Sequence, residues 1–141
     1  MMYFKSLLLL VGISALSLFS CGSGSHGQRH DPVKFERAEA FKQRINEENM
    51  VMGDLINGKR AFKQHCESCH GHDGMRINFG SPTDPLFLAH TSRLKPEQFF
   101  HIVNFGQNNN NMPAYYDTVS FADLADIVAY CQTLPSVEPN Y

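Results

Sequence analysis

Two thiols three residues apart, followed at once by an imidazole, constrain this chain more than any other feature: Cys66-Glu67-Ser68-Cys69-His70. On a helical turn this spacing brings both sulfurs to one side and sets the His70 ring beside them. What the motif holds must lie against a helix and be covered by a chain of 141 residues, enough for one domain and short appendages. Cys21, Cys66, Cys69 and Cys131 also admit two disulfides, a metal site, or thiols with separate tasks, so position must decide.

The pattern around the motif is helical. Asp31-Pro32 reads as an N-cap and first helical residue. The segment from Val33 to about Asn49 follows, with Phe35, Ala38, Phe41 and Ile45 at helical spacing. So narrow a stripe predicts loose packing on the main domain or a solvated spacer. A second helix is predicted over Asp54 to Gln64, with Leu55, Ile56, Ala61 and Phe62 apolar. Gly71 to His90 lacks period, contains Gly74, Gly80, Pro82 and Pro85, and reads as loop. A third helix spans Pro96 to Phe105 and stops at Gly106. After a loop to Thr118, Ser120 caps a fourth helix with Asp123 three residues on; its stripe is Leu124, Ile127, Val128, Cys131 and Leu134, and Pro135 ends it.

No segment alternates in the manner of a strand, so the fold class is all-α, with long loops covering something other than a large protein core. Hydrophobic residues make up 43% of the chain, with 11 Phe and 5 Tyr, which excludes disorder of the whole. A formal charge of −2 argues against nucleic-acid binding.

In this setting Cys66-x-x-Cys69-His70 carries the signature of c-type haem attachment. The two thiols reach the two vinyl groups on one porphyrin edge, and the imidazole falls under the iron. A thioredoxin-like pair would follow a strand in an α/β pattern. Structural zinc would need a second ligand pair, but only Cys131 and scattered histidines remain. A Cys66–Cys69 disulfide would leave His70 and the thin core unexplained. About 80 residues with two long loops make a marginal core, and a buried porphyrin would staple it.

A sixth iron ligand must come from elsewhere. Of 6 Met, two lie at the extreme N-terminus, Met50 and Met52 precede the attachment helix, and Met75 follows His70 too closely to reach the opposite haem face. Met112, before Pro113 in a loop, remains. His65 and His72 lie too near the motif, His101 sits within a helix, and His90 is a further candidate in principle.

Residues 54–134 resemble a class I cytochrome c, of the compact bacterial monohaem kind. The likeness rests on Gly58 and Phe62 before the motif, Gly71-His72-Asp73-Gly74 after it, a helix ending in Gly106, then Met112-Pro113, and a last helix with Ile127 and Tyr130. The resemblance implies N- and C-terminal helices crossing over one covalently bound haem c, with Gly58 allowing close approach and Phe62 and Tyr130 packing at the crossing. It implies thioethers at Cys66 and Cys69, His70 as proximal ligand and Met112 as distal ligand. It further implies a proline carbonyl accepting from the proximal imidazole; Pro85 is preferred over Pro82 because Leu86-Phe87 would cover the haem. With both axial positions filled, such iron suits electron transfer rather than oxygen chemistry. Phe79, Phe87, Phe99 and Tyr115 are expected to bury it. The resemblance leaves residues 33–53 as one extra N-terminal helical segment, 54–135 as the cytochrome domain and 136–141 as a tail.

The start of the chain reads as an export signal over residues 1–20: Lys5, then an apolar run from Leu7 to Phe19, shorter than the roughly 20 residues of a membrane-spanning helix. Leu18-Phe19-Ser20-Cys21 resembles a bacterial lipobox, although Phe19 is larger than usual there. Lipid on the Cys21 sulfur, with the Gly/Ser-rich residues 21–32 as a flexible tether, would anchor the domain to a membrane in the cell envelope. The alternative is a soluble secreted protein cleaved a few residues later. Cleavage before Cys21 removes Lys5 and takes the charge to −3.

The expected function is that of a non-enzymatic electron carrier. It would pass single electrons between a redox protein donor and acceptor at the outer face of a bacterial membrane, with no small-molecule substrate. Two alternatives are a haem-based ligand-binding sensor in which Met112 is displaced, and an accessory haem subunit of a larger redox complex that uses residues 33–50 for contact. The Asn-rich loop Gln107 to Met112 can bond local backbone and hold the methionine, and would form a neutral docking patch. Cys131, on the stripe of the last helix, reads as a small buried hydrophobe.

Overall fold

Gly58 organises the fold. A Cβ at this position would stand 2.1 Å from the Asp126 carbonyl oxygen and 2.9 Å from Tyr130 Cβ, so only glycine lets the two helices that carry these residues touch at their backbones. The computed structural model describes residues 32–136. Its helices are α1 (Pro32–Lys42), α2 (Leu55–His65), α3 (Glu67–His70), α4 (Leu88–Leu94), α5 (Pro96–Phe105) and α6 (Phe121–Cys131), with a 3-10 turn at Asn108–Asn110. Among the described residues the only strand-like pairings are the isolated bridges Ile45–Val51 and Gln107–Met112. The protein is an all-helical domain with its N- and C-terminal helices, α2 and α6, packed together.

Local chemistry starts and stops these helices. Asp54 caps α2, accepting from Ile56 N and Asn57 N, and Ser120 caps α6 by accepting from Asp123 N. Ser120 also donates to the Asp123 carboxylate at 2.8 Å. The apolar faces then meet: Phe62, Leu124, Ala125, Ile127 and Val128 are buried, and Phe62 and Tyr130 pack with ring centroids 5.4 Å apart. Cys131 is buried among them, as its place on the stripe predicts.

Three features differ from the sequence reading. Leu88–Leu94 is helical where the pattern predicts loop as far as His90. Its seven residues are too few to show a period, and burial of Leu88, Ala89 and Ser92 sustains it. The first helix ends at Lys42 rather than near Asn49. The Asn46 side chain accepts from Glu48 N and Met50 N and turns the chain instead. Phe35 is 62% exposed, so it leaves the expected stripe; Ala38 and Ile45 are half-buried, and Phe41 is fully buried and stacked on Phe100 at 4.0 Å and 8°. The segment is neither a loose appendage nor a solvated spacer.

A buried glutamine fastens this segment further. Gln132 Oε1 accepts from Val51 N at 2.8 Å, while its Nε2 donates to Asn49 O and Ser92 O. The proposed signal, the Cys21 anchor, the tether through Asp31 and residues 137–141 lie outside the described residues. Among the described residues no helix is long and apolar enough to cross a membrane.

Candidate haem site

The end of α2 presents the cysteine–histidine motif. Cys66 N donates to Phe62 O at 2.8 Å, and the chain turns directly into α3, where Cys69 N and His70 N both return to Cys66 O. One tight turn therefore carries both thiols and the imidazole. Cys66 is buried, Cys69 exposed and His70 9% exposed. The thiols are free, so the disulfide alternative is not formed. Among the described residues no cluster of three or more His, Cys, Asp or Glu side chains could hold a metal ion, which removes the zinc alternative there.

Burial, then the neighbouring Cys69, pushes the Cys66 thiol up to about 12, so it is not the low-pKa thiolate of a redox pair. Burial lowers the His70 pKa, which keeps the ring uncharged and a nitrogen lone pair available. His70 Nδ1 is buried and has no hydrogen-bond partner. The Pro85 carbonyl therefore does not hold it here. Pro85, half-buried, belongs to a loop that nonetheless faces the ring: Phe79 lies 6.1 Å from the His70 centroid. That loop is fixed by Asn78, whose Oδ1 accepts from Gly80 N and Leu86 N, and by the Phe79 N to Leu86 O bond. Phe79 stays 45% exposed and Ile77 39% exposed, whereas Phe99 is buried and Phe87 and Tyr115 half-buried.

Met112 stands on the loop between α5 and α6, half-buried against the core. It pairs with Gln107 through Gln107 N to Met112 O at 2.9 Å and Met112 N to Gln107 O at 3.3 Å. The asparagines contribute a left-handed Asn111 (φ 54°) and an Asn110 side-chain bond to Gln107 Oε1. Gly106 (φ +74°) closes the loop, because a Cβ there would meet Met112 O and Ala114 N at 2.8 Å. Tyr115 then crosses to the cysteine turn, donating its hydroxyl to His65 O at 2.9 Å. Burial and the two nearby cysteines raise the pKa of that hydroxyl and keep it a donor. Periodicity cannot reveal this bond between residues 50 positions apart.

A buried imidazole and two free thiols on one turn, beside helices packed together at Gly58, are consistent with a cytochrome c domain. The model of the family described as cytochrome c oxidase, cbb3-type, subunit III matches residues 53–131, more than half of the chain, and the protein belongs to that family. It is also similar to a cytochrome c6-like protein of Nostoc sp. (strain PCC 7120 / SAG 25.82 / UTEX 2576), 32% identical over 77 residues that cover 55% of this chain and 68% of that protein. No solved structure matches. Membership implies covalent haem c and electron transfer with redox protein partners. Domains of this class are typically exported and act as carriers rather than enzymes.

Proposed function

We propose that the chain is a monohaem electron carrier, exported and held by lipid on Cys21 at the outer face of a bacterial membrane. Cys66 and Cys69 form the thioethers, His70 binds iron through Nε2, Met112 supplies the distal sulfur, and the Pro85 carbonyl accepts a hydrogen bond from Nδ1–H in the holoprotein. The observation that carries this reading is the buried His70 ring with Nδ1 unpaired, on the same turn as two free thiols. The haem supplies a one-electron iron couple. Around it the chain shields and orients: α3 fixes the imidazole, Tyr115 ties the Met112 loop to the cysteine turn, and a thioether favours the ferrous state.

Absorption spectra of purified holoprotein, oxidised and reduced, with and without carbon monoxide, test the assignment. The Met112→Ala variant is expected to lose the ferric methionine–iron charge-transfer absorption, drop in potential and bind carbon monoxide readily. An unchanged absorption would overturn Met112 as ligand.

The family's description as an oxidase subunit favours a second reading, a haem subunit within a larger complex. The inner face of α1 is occupied by Phe100, so contact there would use the outer face around Phe35. Recovery in mild detergent as one complex with other redox proteins is the outcome this reading expects.

A further inference from the structure

Helix α1 lies outside the residues matched by the family model, yet one of its side chains reaches the Met112 loop. Arg37 donates from Nη1 to Asn104 Oδ1 at 2.8 Å and from Nη2 to Tyr116 O at 3.0 Å. Its guanidinium lies 6.0 Å from the Tyr116 ring centroid. Asn104 is fully buried near the end of α5, and its Nδ2 has no partner, so the bond from Arg37 anchors a side chain that no water reaches. The backbone oxygen of Asn104 accepts from both Tyr115 N and Tyr116 N, at 3.0 and 2.9 Å. Tyr115 in turn holds His65 O, beside the cysteine turn. The result is a chain of contacts: the Phe41–Phe100 stack seats α1, Arg37 clasps Asn104 and Tyr116, and these fix the three residues that follow Met112-Pro113.

We propose that Arg37 is a positioning residue that holds the 112–116 loop against the cysteine–histidine turn and thereby sets how readily Met112 leaves the iron. This rests on the reading of Met112 as distal ligand. A guanidinium suits the task because its planar fork serves a side-chain oxygen and a backbone oxygen together, which a single ammonium cannot do equally well. The bond to Asn104 is charge-assisted and partly buried, the strong kind, whereas the bond to Tyr116 O is exposed, so loss of the first should be measurable at the ligand.

The test uses full-length holoprotein as wild type, Arg37→Ala, Arg37→Lys, Met112→Ala and Lys42→Ala. Lys42 is the control: it lies on α1 and pairs with Glu39 and Glu97 at the surface, with no part in the clasp. The first readout is the affinity of the ferric protein for added cyanide, which competes with Met112. The second is hydrogen exchange at the Tyr115 and Tyr116 amides. Arg37→Ala is expected to bind cyanide about tenfold more tightly and to exchange both amides about tenfold faster, the scale of one lost charge-assisted bond. Arg37→Lys should shift both in the same direction by about threefold, since one bond can be kept. Lys42→Ala should match wild type. If Arg37→Ala does not accumulate as holoprotein, Arg37→Lys carries the test, and wild-type values in that variant overturn the proposal. Wild-type values in Arg37→Ala, while Met112→Ala loses the methionine–iron absorption, overturn the role of Arg37 and leave the ligand assignment standing. A wild-type protein without that absorption, indistinguishable from Met112→Ala, overturns both.

Discussion

The α2–α6 crossing and the stretch from Arg76 to Asp84 are built on opposite terms. At the crossing Phe62, Leu124, Ala125, Ile127 and Val128 are at most 2% exposed, and the backbones touch at Gly58. In the other stretch every residue is exposed, Ile77 and Phe79 included, and the fold rests on local bonds to Asn78. One half is completed by the chain's own side chains. The other turns apolar groups outward beside a buried imidazole, as a surface does when it is shaped to meet a broad flat partner.

The rigid end carries the largest expected effect. Gly58→Ala places a methyl group 2.1 Å from a backbone oxygen and should cost about 3 kcal/mol, the upper part of the overpacking range, read as a lower denaturation midpoint. Tolerance of that alanine within about 0.5 kcal/mol would mean that the crossing is soft. The open half is sharpened by pairing two exposed phenylalanines in the holoprotein. On the proposed reading, in which haem covers the ring, Phe79→Ser should destabilise by about 1.5 kcal/mol. Phe35→Ser, on the outer face of α1, should stay within about 0.5 kcal/mol. Equal effects would show that Phe79 is an ordinary surface residue.

The smallest effect concerns the polar edge of the crossing. Asn57 Nδ2, followed by the Ser120 hydroxyl, holds the Asp123 carboxyl below its ordinary value. A carboxylate favoured by the folded state contributes stability above the unfolded pKa near 4, and this is lost as pH falls through the lower folded value. Asp123→Asn should therefore flatten the acid limb of a stability–pH curve, by under about 1 kcal/mol for a group this close to solvent. A limb unchanged in slope would assign the acid sensitivity to other carboxylates.

Much of the rigid half is legible in the sequence, because caps and 3.6-residue stripes are local signals: Ser120 and the Leu124-Ile127-Val128-Cys131 face announce α6, whereas the Asp54 cap of α2 emerges only from the structure. The site motif is legible for the same reason, since its spacing lies within a single turn. Helix α4 is not legible, because seven residues sustained by Leu88, Ala89 and Ser92 burial carry no period. Nor is the early end of α1, where Asn46 captures backbone donors within a segment otherwise rich in helix formers. The clasp of Arg37 on Asn104 and the bond of Tyr115 to His65 join residues 67 and 50 positions apart. Such pairs use common polar types, and only the fold selects the partner.

Gln132 has a consequence for where this domain can be cut. The matched span begins at residue 53, but the Gln132 amide is 1% exposed and binds Val51 N and Asn49 O, both upstream of that point. A fragment trimmed to the matched span would leave the Gln132 amide with two of its three partners deleted and would uncover the Phe100 ring. The contacts that Phe41, Asn49 and Val51 make with the helices therefore run across the border of the matched span.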